Sequence, residues 1–311
     1  MKVGVAGLGR MGGFHAQKVV AHPSAELTGI HDISISHMKE KAQELGTRGF
    51  DSLDELIAVS DAIVLASPTS THSELGRKIL EAGKHLLIEK PIADSISEAK
   101  LLVDLADKMG LVLSVGHIEN FNPAFLAAFQ MIENPIFVEA HRMSPFVGRG
   151  TDVSVVMDLM IHDIEILLRL MGPAKEIRAS GGRVLTDEID IASARIEFEK
   201  GVANVTASRI SDKPLRKMRF FTKGSYVSID FGKKEVEAIF QGAREGGLVF
   251  EMGGERFTRM PVTVENKDPL YEELDDFISS VESGKKPMVD GHSGLNALEI
   301  AESILGSIQG Q

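Results

Sequence analysis

The sequence predicts an α/β protein in two parts: an N-terminal doubly wound parallel sheet, then an α+β domain built on an open, mostly antiparallel sheet. Three observations predict it. Short apolar runs alternate with amphipathic stretches over the first 120 residues. A glycine-rich turn follows the first of those runs. After Asn122-Pro123 the period changes, and polar and apolar residues begin to alternate.

The first-domain elements follow in order. Lys2 to Ala6, Glu26 to Asp32, Ala62 to Ser67, His85 to Glu89 and Leu111 to Gly116 are rich in Val, Leu and Ile, as strands buried on both faces must be. Helices fill the intervals. Gly46, Gly83 and Gly110 stand where helices need a C-terminal stop, and Ser52 and Ser97 stand where N-caps are wanted. The expected domain is 1–120, with the second domain over 121–311.

In that second domain a helix is expected from Ser154 to Leu170, stopped by Gly172-Pro173. Ile189 to Phe198, Val202 to Ile210, Arg219 to Thr222, Tyr226 to Asp230, Val236 to Phe240 and Phe257 to Pro261 alternate as strands with one wet face, which favours antiparallel pairing. Helices near Leu270 to Ser283 and Gly294 to Ile308 close the chain.

Composition bounds the function. The 311 residues exceed what one hydrophobic core usually supports, about 250–300, so two domains are expected. With 34 Lys and Arg against 45 Asp and Glu, the net charge of -11 argues against nucleic acid as a partner. The chain has no cysteine, hence no disulfide, thiolate metal site or cysteine nucleophile. No stretch approaches the roughly 18 apolar residues of a membrane span, and the opening lacks a signal-peptide core, so a cytoplasmic address and no membrane partner are expected.

Gly7-Leu8-Gly9-Arg10-Met11-Gly12 directly follows the first strand and opens a helix, the context that turns a glycine pattern into a dinucleotide (Rossmann) fingerprint. Gly7 permits the tight turn, Gly9 lets the backbone approach a pyrophosphate, and Gly12 lets helix and strand pack closely. Asp32, 20 residues after Gly12 at the end of the second strand, is placed to accept hydrogen bonds from ribose hydroxyls. A carboxylate there repels a 2'-phosphate, and no Arg or Lys lies between Asp32 and Lys39, so NAD is expected rather than NADP.

Ser67-Pro68-Thr69-Ser70-Thr71-His72, the run from Ala82 to Glu89-Lys90-Pro91, and Asp158-Leu159-Met160-Ile161-His162-Asp163 together resemble the glucose-fructose oxidoreductase, inositol dehydrogenase and MocA family. The resemblance implies hydride transfer at a sugar or polyol carbon, in an active site between the two domains. It adds Arg10, Met11, Ser67, Pro68, Thr69, His72, Glu89 and Lys90 to the glycines and Asp32 as cofactor contacts. Lys90 follows a buried strand at the carboxyl edge, where an ammonium can hydrogen-bond a reacting oxygen and Pro91 restricts the backbone. Asp158 and His162 stand four apart on the expected helix, so both project from one face. Imidazole takes up protons near neutral pH, which assigns His162 the base role, Lys90 the polarising role and Asp158 the orienting role; Lys90 as base is the rival. Asp158, His162, His141 and His117 are ligand types whose spacing matches no zinc pattern, and no metal is expected.

His141 to Phe146, Arg149 to Val153 and Thr206 to Ser211 resemble the branch of that family that oxidises UDP-N-acetylglucosamine at its 3-hydroxyl. Where many of the family's sugar dehydrogenases carry an arginine-containing segment, this chain has His117 to Pro123, which makes His117 and Asn120 substrate candidates. Arg142, Arg149 and Arg209, with Arg216 beside them, offer forks to a diphosphate. The alternatives are a dehydrogenase of a free sugar or inositol-type polyol, and a non-catalytic NAD-sensing protein. The expected partners are a small-molecule sugar or sugar nucleotide and further copies of the chain, as a homodimer or homotetramer joined through an apolar sheet face.

Overall fold

The computed structural model of the chain describes residues 1–148 and 151–310. Contacts divide it into two units: 1–118 with 268–298, and 119–267 with the residues from Glu299 onward. The sequence reading draws a single boundary after residue 120; residues 268–298 instead pack with the first unit.

The first unit is a five-stranded parallel sheet of β1 (Lys2–Ala6), β2 (Glu26–His31), β3 (Ala62–Leu65), β4 (His85–Glu89) and β5 (Leu113–Gly116), in the order β2-β1-β3-β4-β5. This is the doubly wound arrangement predicted. Helices α1 (Arg10–Ala21), α2 (Ile35–Leu45), α3 (Leu53–Val59), α4 (His72–Glu81) and α5 (Ile96–Met109) make the crossovers. The strands are buried because both faces are covered: β3 has no exposed residue, and Val3, Val5, Ala62, Val64 and Leu87 share one core with Ala16 and Val19 of α1. That core also takes Leu274, Phe277 and Ile278 from α8 (Pro269–Ser283). Their spacing puts them on one stripe, and burying each contributes roughly 1.5–3 kcal/mol. That apolar stripe draws the late helix back into the first unit.

Caps fall mostly where expected. Ser52 Oγ accepts from Glu55 N at 3.3 Å, and Gly46 and Gly110 end α2 and α5 in the left-handed region. The cap of α5 is Ser95, not Ser97: Ser95 Oγ accepts from Glu98 N at 3.3 Å. Leu111 stays on the helix end, where its N donates to Ala106 O at 2.9 Å, so β5 begins at Leu113.

The second unit is a nine-stranded sheet that adds α6 (Pro123–Phe129) and α7 (Ile161–Met171). Its strands are β6 (Phe137–Met143), β7 (Ala174–Gly182), β8 (Ile191–Phe198), β9 (Val202–Ser208), β10 (Leu215–Thr222), β11 (Ser225–Asp230), β12 (Glu235–Gln241), β13 (Leu248–Met252) and β14 (Glu255–Met260). The order is β13-β14-β12-β11-β10-β6-β9-β8-β7. Every pairing is antiparallel except β6 with β9. The predicted alternation holds in β8, where Ala192, Ala194, Ile196 and Phe198 are buried while Ile191, Ser193 and Arg195 are exposed. β6, β7 and β13 were not among the expected strands. The helix α9 (Gly291–Gln309) ends the fold.

One element differs in kind. Within the helix expected over Ser154 to Leu170, Val156–Met160 forms a π-helical turn, and regular α-helix begins only at Ile161. Such turns concentrate at functional positions. Asp158 lies inside this one.

Candidate active site

In the first unit the carboxyl ends of the strands gather the predicted cofactor groups. Gly7, after β1, has φ +85°, and a Cβ there would stand 2.6 Å from Ser67 N. A Cβ at Gly12 would stand 1.7 Å from Gly7 O, whereas one at Gly9 would meet nothing within 4 Å. Helix and turn are thus packed shut at Gly7 and Gly12 and open at Gly9. The first turn of α1, with Arg10 and Met11, carries no acidic residue, and no side chain caps it. Its N–H groups and positive dipole end fit an anionic group such as a pyrophosphate. Asp32 fits the other end of a dinucleotide: Oδ2 accepts from Leu8 N at 2.7 Å and Oδ1 from Ser34 N at 2.8 Å. These bonds fix the carboxylate to the glycine turn and leave each oxygen acceptor capacity for ribose hydroxyls.

Past β3, Ser67, Pro68 and Thr69 lead into α4, with Ser67 Oγ and Thr71 Oγ1 2.7 Å apart. His72 is sealed at 1% exposure, Nε2 2.9 Å from Ser67 O and Nδ1 2.9 Å from Pro91 O. Burial holds it below the ordinary histidine range. It braces the Ser67-Pro68 segment against the Glu89-Lys90-Pro91 segment, a different part from the cofactor contact expected. Glu89 is held similarly: Oε1 lies 2.9 Å from His15 Nε2 and Oε2 accepts from Lys90 N at 3.3 Å. Although burial opposes its charge, His15 and then Lys90 keep Glu89 below the usual carboxylate range. His117, after β5, is 1% exposed and pushed down to about 3, by burial first and by the charge of Lys90 second. It is a neutral imidazole and a poor proton acceptor near neutral pH.

In the second unit Asp158 and His162 remain half-exposed on a segment whose neighbours Met160, Ile161 and Asp163 are buried. The expectation for the arginines requires correction. Arg142, on the central strand β6, is 3% exposed and clamps Asp163 with two bonds, Nε to Oδ2 at 3.0 Å and Nη2 to Oδ1 at 2.6 Å. Its Nη1 donates to Glu119 Oε1 at 2.6 Å. Burial opposes the Arg142 charge, but Asp163 and Glu119 hold the guanidinium firmly protonated. Arg209 is 6% exposed, with Nη2 donating to Val153 O and Nε 3.7 Å from Asp190 Oδ1. Asp163 and Glu119 take the Arg142 fork, and Val153 O and the Asp190 carboxylate face the Arg209 guanidinium, where a diphosphate was expected. Asn120 is fully buried, its amide donating to Glu165 and its carbonyl accepting from Arg169 Nη1 at 3.2 Å. Arg149 lies outside the described residues. Among the described residues no group of three or more His, Asp and Glu is placed to hold a metal.

Sequence reasoning missed His15, Glu119 and Asp163, each of which fixes a candidate group. The signal for His15 is positional: it lies on the same buried face of α1 as Gly12, Ala16 and Val19, where a histidine needs a partner.

Residues 1–117 match the family described as the Gfo/Idh/MocA oxidoreductase family, NAD-binding Rossmann fold, and residues 131–311 match that family's C-terminal alpha/beta domain. UDP-N-acetylglucosamine 3-dehydrogenase of Acidithiobacillus ferrooxidans is 36% identical to this chain over 99% of the chain and 97% of the relative. A solved structure of UDP-N-acetylglucosamine 3-dehydrogenase GnnA from that organism superposes with a TM-score of 0.93 at 35% identity, covering 100% of this chain and 98% of that one. Myo-inositol 2-dehydrogenase of Thermotoga maritima is 26% identical over 99% of this chain and 96% of the relative.

Proposed function

The chain belongs to the Gfo/Idh/MocA oxidoreductase family, and from that premise we propose that it oxidises the 3-hydroxyl of UDP-N-acetylglucosamine to the 3-keto sugar nucleotide. It is an NAD-binding dehydrogenase acting on CH–OH groups. The observation that carries the substrate is the end-to-end likeness, 36% over 99% of the chain, to a dehydrogenase named for that sugar nucleotide. The myo-inositol 2-dehydrogenase of Thermotoga maritima falls to 26% over the same span and supports the free-polyol reading less.

Bound NAD supplies the hydride acceptor, and the chain's residues do the rest. The N–H groups opening α1 and the Asp32 carboxylate hold the two ends of the dinucleotide. Lys90, an ammonium with three donors and no lone pair, polarises the reacting oxygen and steadies the charge that develops there. His162 takes the hydroxyl proton on its imidazole while Asp158 orients the hydroxyl. His117, at about 3, is a poor competitor for that proton. Lys90, Asp158 and His162 all being present speaks for a catalyst over a protein that only senses NAD.

A cytoplasmic site of action belongs to the same proposal, because NAD and nucleotide sugars are drawn from that pool. So does a homodimer or homotetramer. The outer face of the second-unit sheet sets Phe137 5.9 Å from Phe221 and Phe221 5.3 Å from Tyr226, an aromatic strip suited to a second copy.

The test is product analysis. The protein is incubated with UDP-N-acetylglucosamine and NAD, the product reduced with borodeuteride, and the deuterium located by NMR. Deuterium at C3 is expected. Deuterium at another carbon, or no reduced cofactor, overturns the proposal.

A further inference from the structure

The buried arginines of the second unit have a use that substrate binding does not explain. The π-helical turn Val156–Met160 carries Asp158, and His162 follows it by two residues. Downstream of the turn, Arg142 grips Asp163, the residue next to His162, through the two-bond fork of 3.0 and 2.6 Å and ties it to Glu119 at 2.6 Å. Upstream, Arg209 donates from Nη2 to Val153 O, and its backbone N donates to Asp190 O at 3.0 Å. Asp190 in turn accepts from Val184 N, Leu185 N and Thr186 N at 2.8, 2.7 and 3.0 Å, and Val155 N donates to Ile189 O at 2.8 Å. Both arginines are anchored on sheet: Arg142 belongs to β6, which is paired on both sides, and Arg209 directly follows β9.

A π turn holds its residues off the regular helical phase and needs surrounding structure to keep it in place. Burying two arginines beside three carboxylates costs desolvation that apolar packing would not, so the pairs are weak evidence of stability for its own sake. We propose that Arg142 and Arg209 are positioning residues, sheet-anchored clamps on either side of the π turn that fix where Asp158 and His162 stand. This rests on the assignment of Asp158 and His162 to the reaction.

The deciding variants are Arg142→Lys, which keeps the charge but cannot reproduce the planar fork on Asp163, and Arg209→Lys, whose single nitrogen cannot face Val153 O and the Asp190 carboxylate from two separate positions. His162→Ala and the gentler Asp163→Asn are run beside them. Circular dichroism, melting temperature and NADH binding by fluorescence are measured with kcat, KM and the pH profile of kcat. Each lysine variant is expected to fold and bind NADH within about twofold of wild type while kcat falls about 10²-fold, the scale of an ångström of misplacement. The limb of the pH profile set by the proton acceptor should move with it. If Arg142→Lys does not fold, Asp163→Asn carries the same expectation. Wild-type kcat with a lowered melting temperature overturns the proposal, leaving a merely structural role. Unchanged kcat with a raised KM for the sugar nucleotide also overturns it and restores the diphosphate contact. Full turnover by His162→Ala sinks the catalytic assignment and this proposal with it, whereas an inactive His162→Ala beside a fully active Arg142→Lys sinks this proposal alone.

Discussion

At the scale of single residues, a sequence shows a side chain's type and its place along an element, but not what faces it. Asp32 directly follows β2, and the structure gives its carboxylate two backbone donors at 2.7 and 2.8 Å. Replacing Asp32 with Ser and Ile33 with Arg removes the repulsion of a 2'-phosphate and supplies a cation on a side chain that is 94% exposed. The ratio of kcat/KM for NADP over NAD should rise about 10²-fold or more, as loss of a charge–charge clash allows; an unchanged ratio would show that Asp32 does not set cofactor choice. Lys90→Met and His162→Ala should each lower kcat about 10²-fold or more while NADH affinity, read by fluorescence, changes little. A silent Lys90→Met returns that residue to an ordinary strand-end lysine. The arginines were misread for a physical reason: sequence shows a guanidinium but not the carboxylate opposite it. Arg142 stands in phase with buried Val138 and Ala140 on β6, a pattern that already places it inward.

At the scale of elements, strands buried on both faces and helices ended by glycine were readable because each carries its own signal. β7 and β13 were not: each sits at a sheet edge, where Ala174–Gly182 mixes charges with glycine and Leu248–Met252 is mostly exposed. The π turn has no signature of its own in the sequence. Helix α8 yields a further prediction. Glu273 is 1% exposed, and neither carboxyl oxygen has a hydrogen-bond partner among the described residues. Burial, then the charges of Glu89 and Asp276, raise it well above the ordinary carboxylate range. The folded protein therefore keeps a proton that the unfolded chain gives up near pH 4.3, and wild-type stability falls as pH rises from about that value toward the folded value. Glu273→Gln has no such loss. The melting temperature of the variant minus that of wild type should grow from about pH 4 to pH 7. A difference that is flat or shrinks over that range would show that Glu273 is ionised in the fold.

For the whole molecule, the proposed substrate is a dianion, which a net charge of -11 would have to admit against the average field. With Arg142 and Arg209 committed internally, that local positive charge has to come from elsewhere. Of the described arginines among the four expected on a diphosphate, Arg216 is the most open: its side chain is 54% exposed, although Nη1 lies 3.8 Å from Glu119 Oε1. The division of the chain was only partly legible, because a boundary drawn in sequence cannot show that Leu274, Phe277 and Ile278 return to the first core. The central claim concerns the substrate, and its physical part is that diphosphate and uridine, remote from the reacting carbon, supply binding energy that positions it. The most direct measurement compares kcat and kcat/KM for UDP-N-acetylglucosamine, free N-acetylglucosamine and myo-inositol, following reduced NAD. The account predicts that the sugar nucleotide is oxidised with the highest kcat/KM and that truncation to the free sugar lowers kcat as well as raising KM. Turnover of inositol or free sugar with no oxidation of the sugar nucleotide would contradict it.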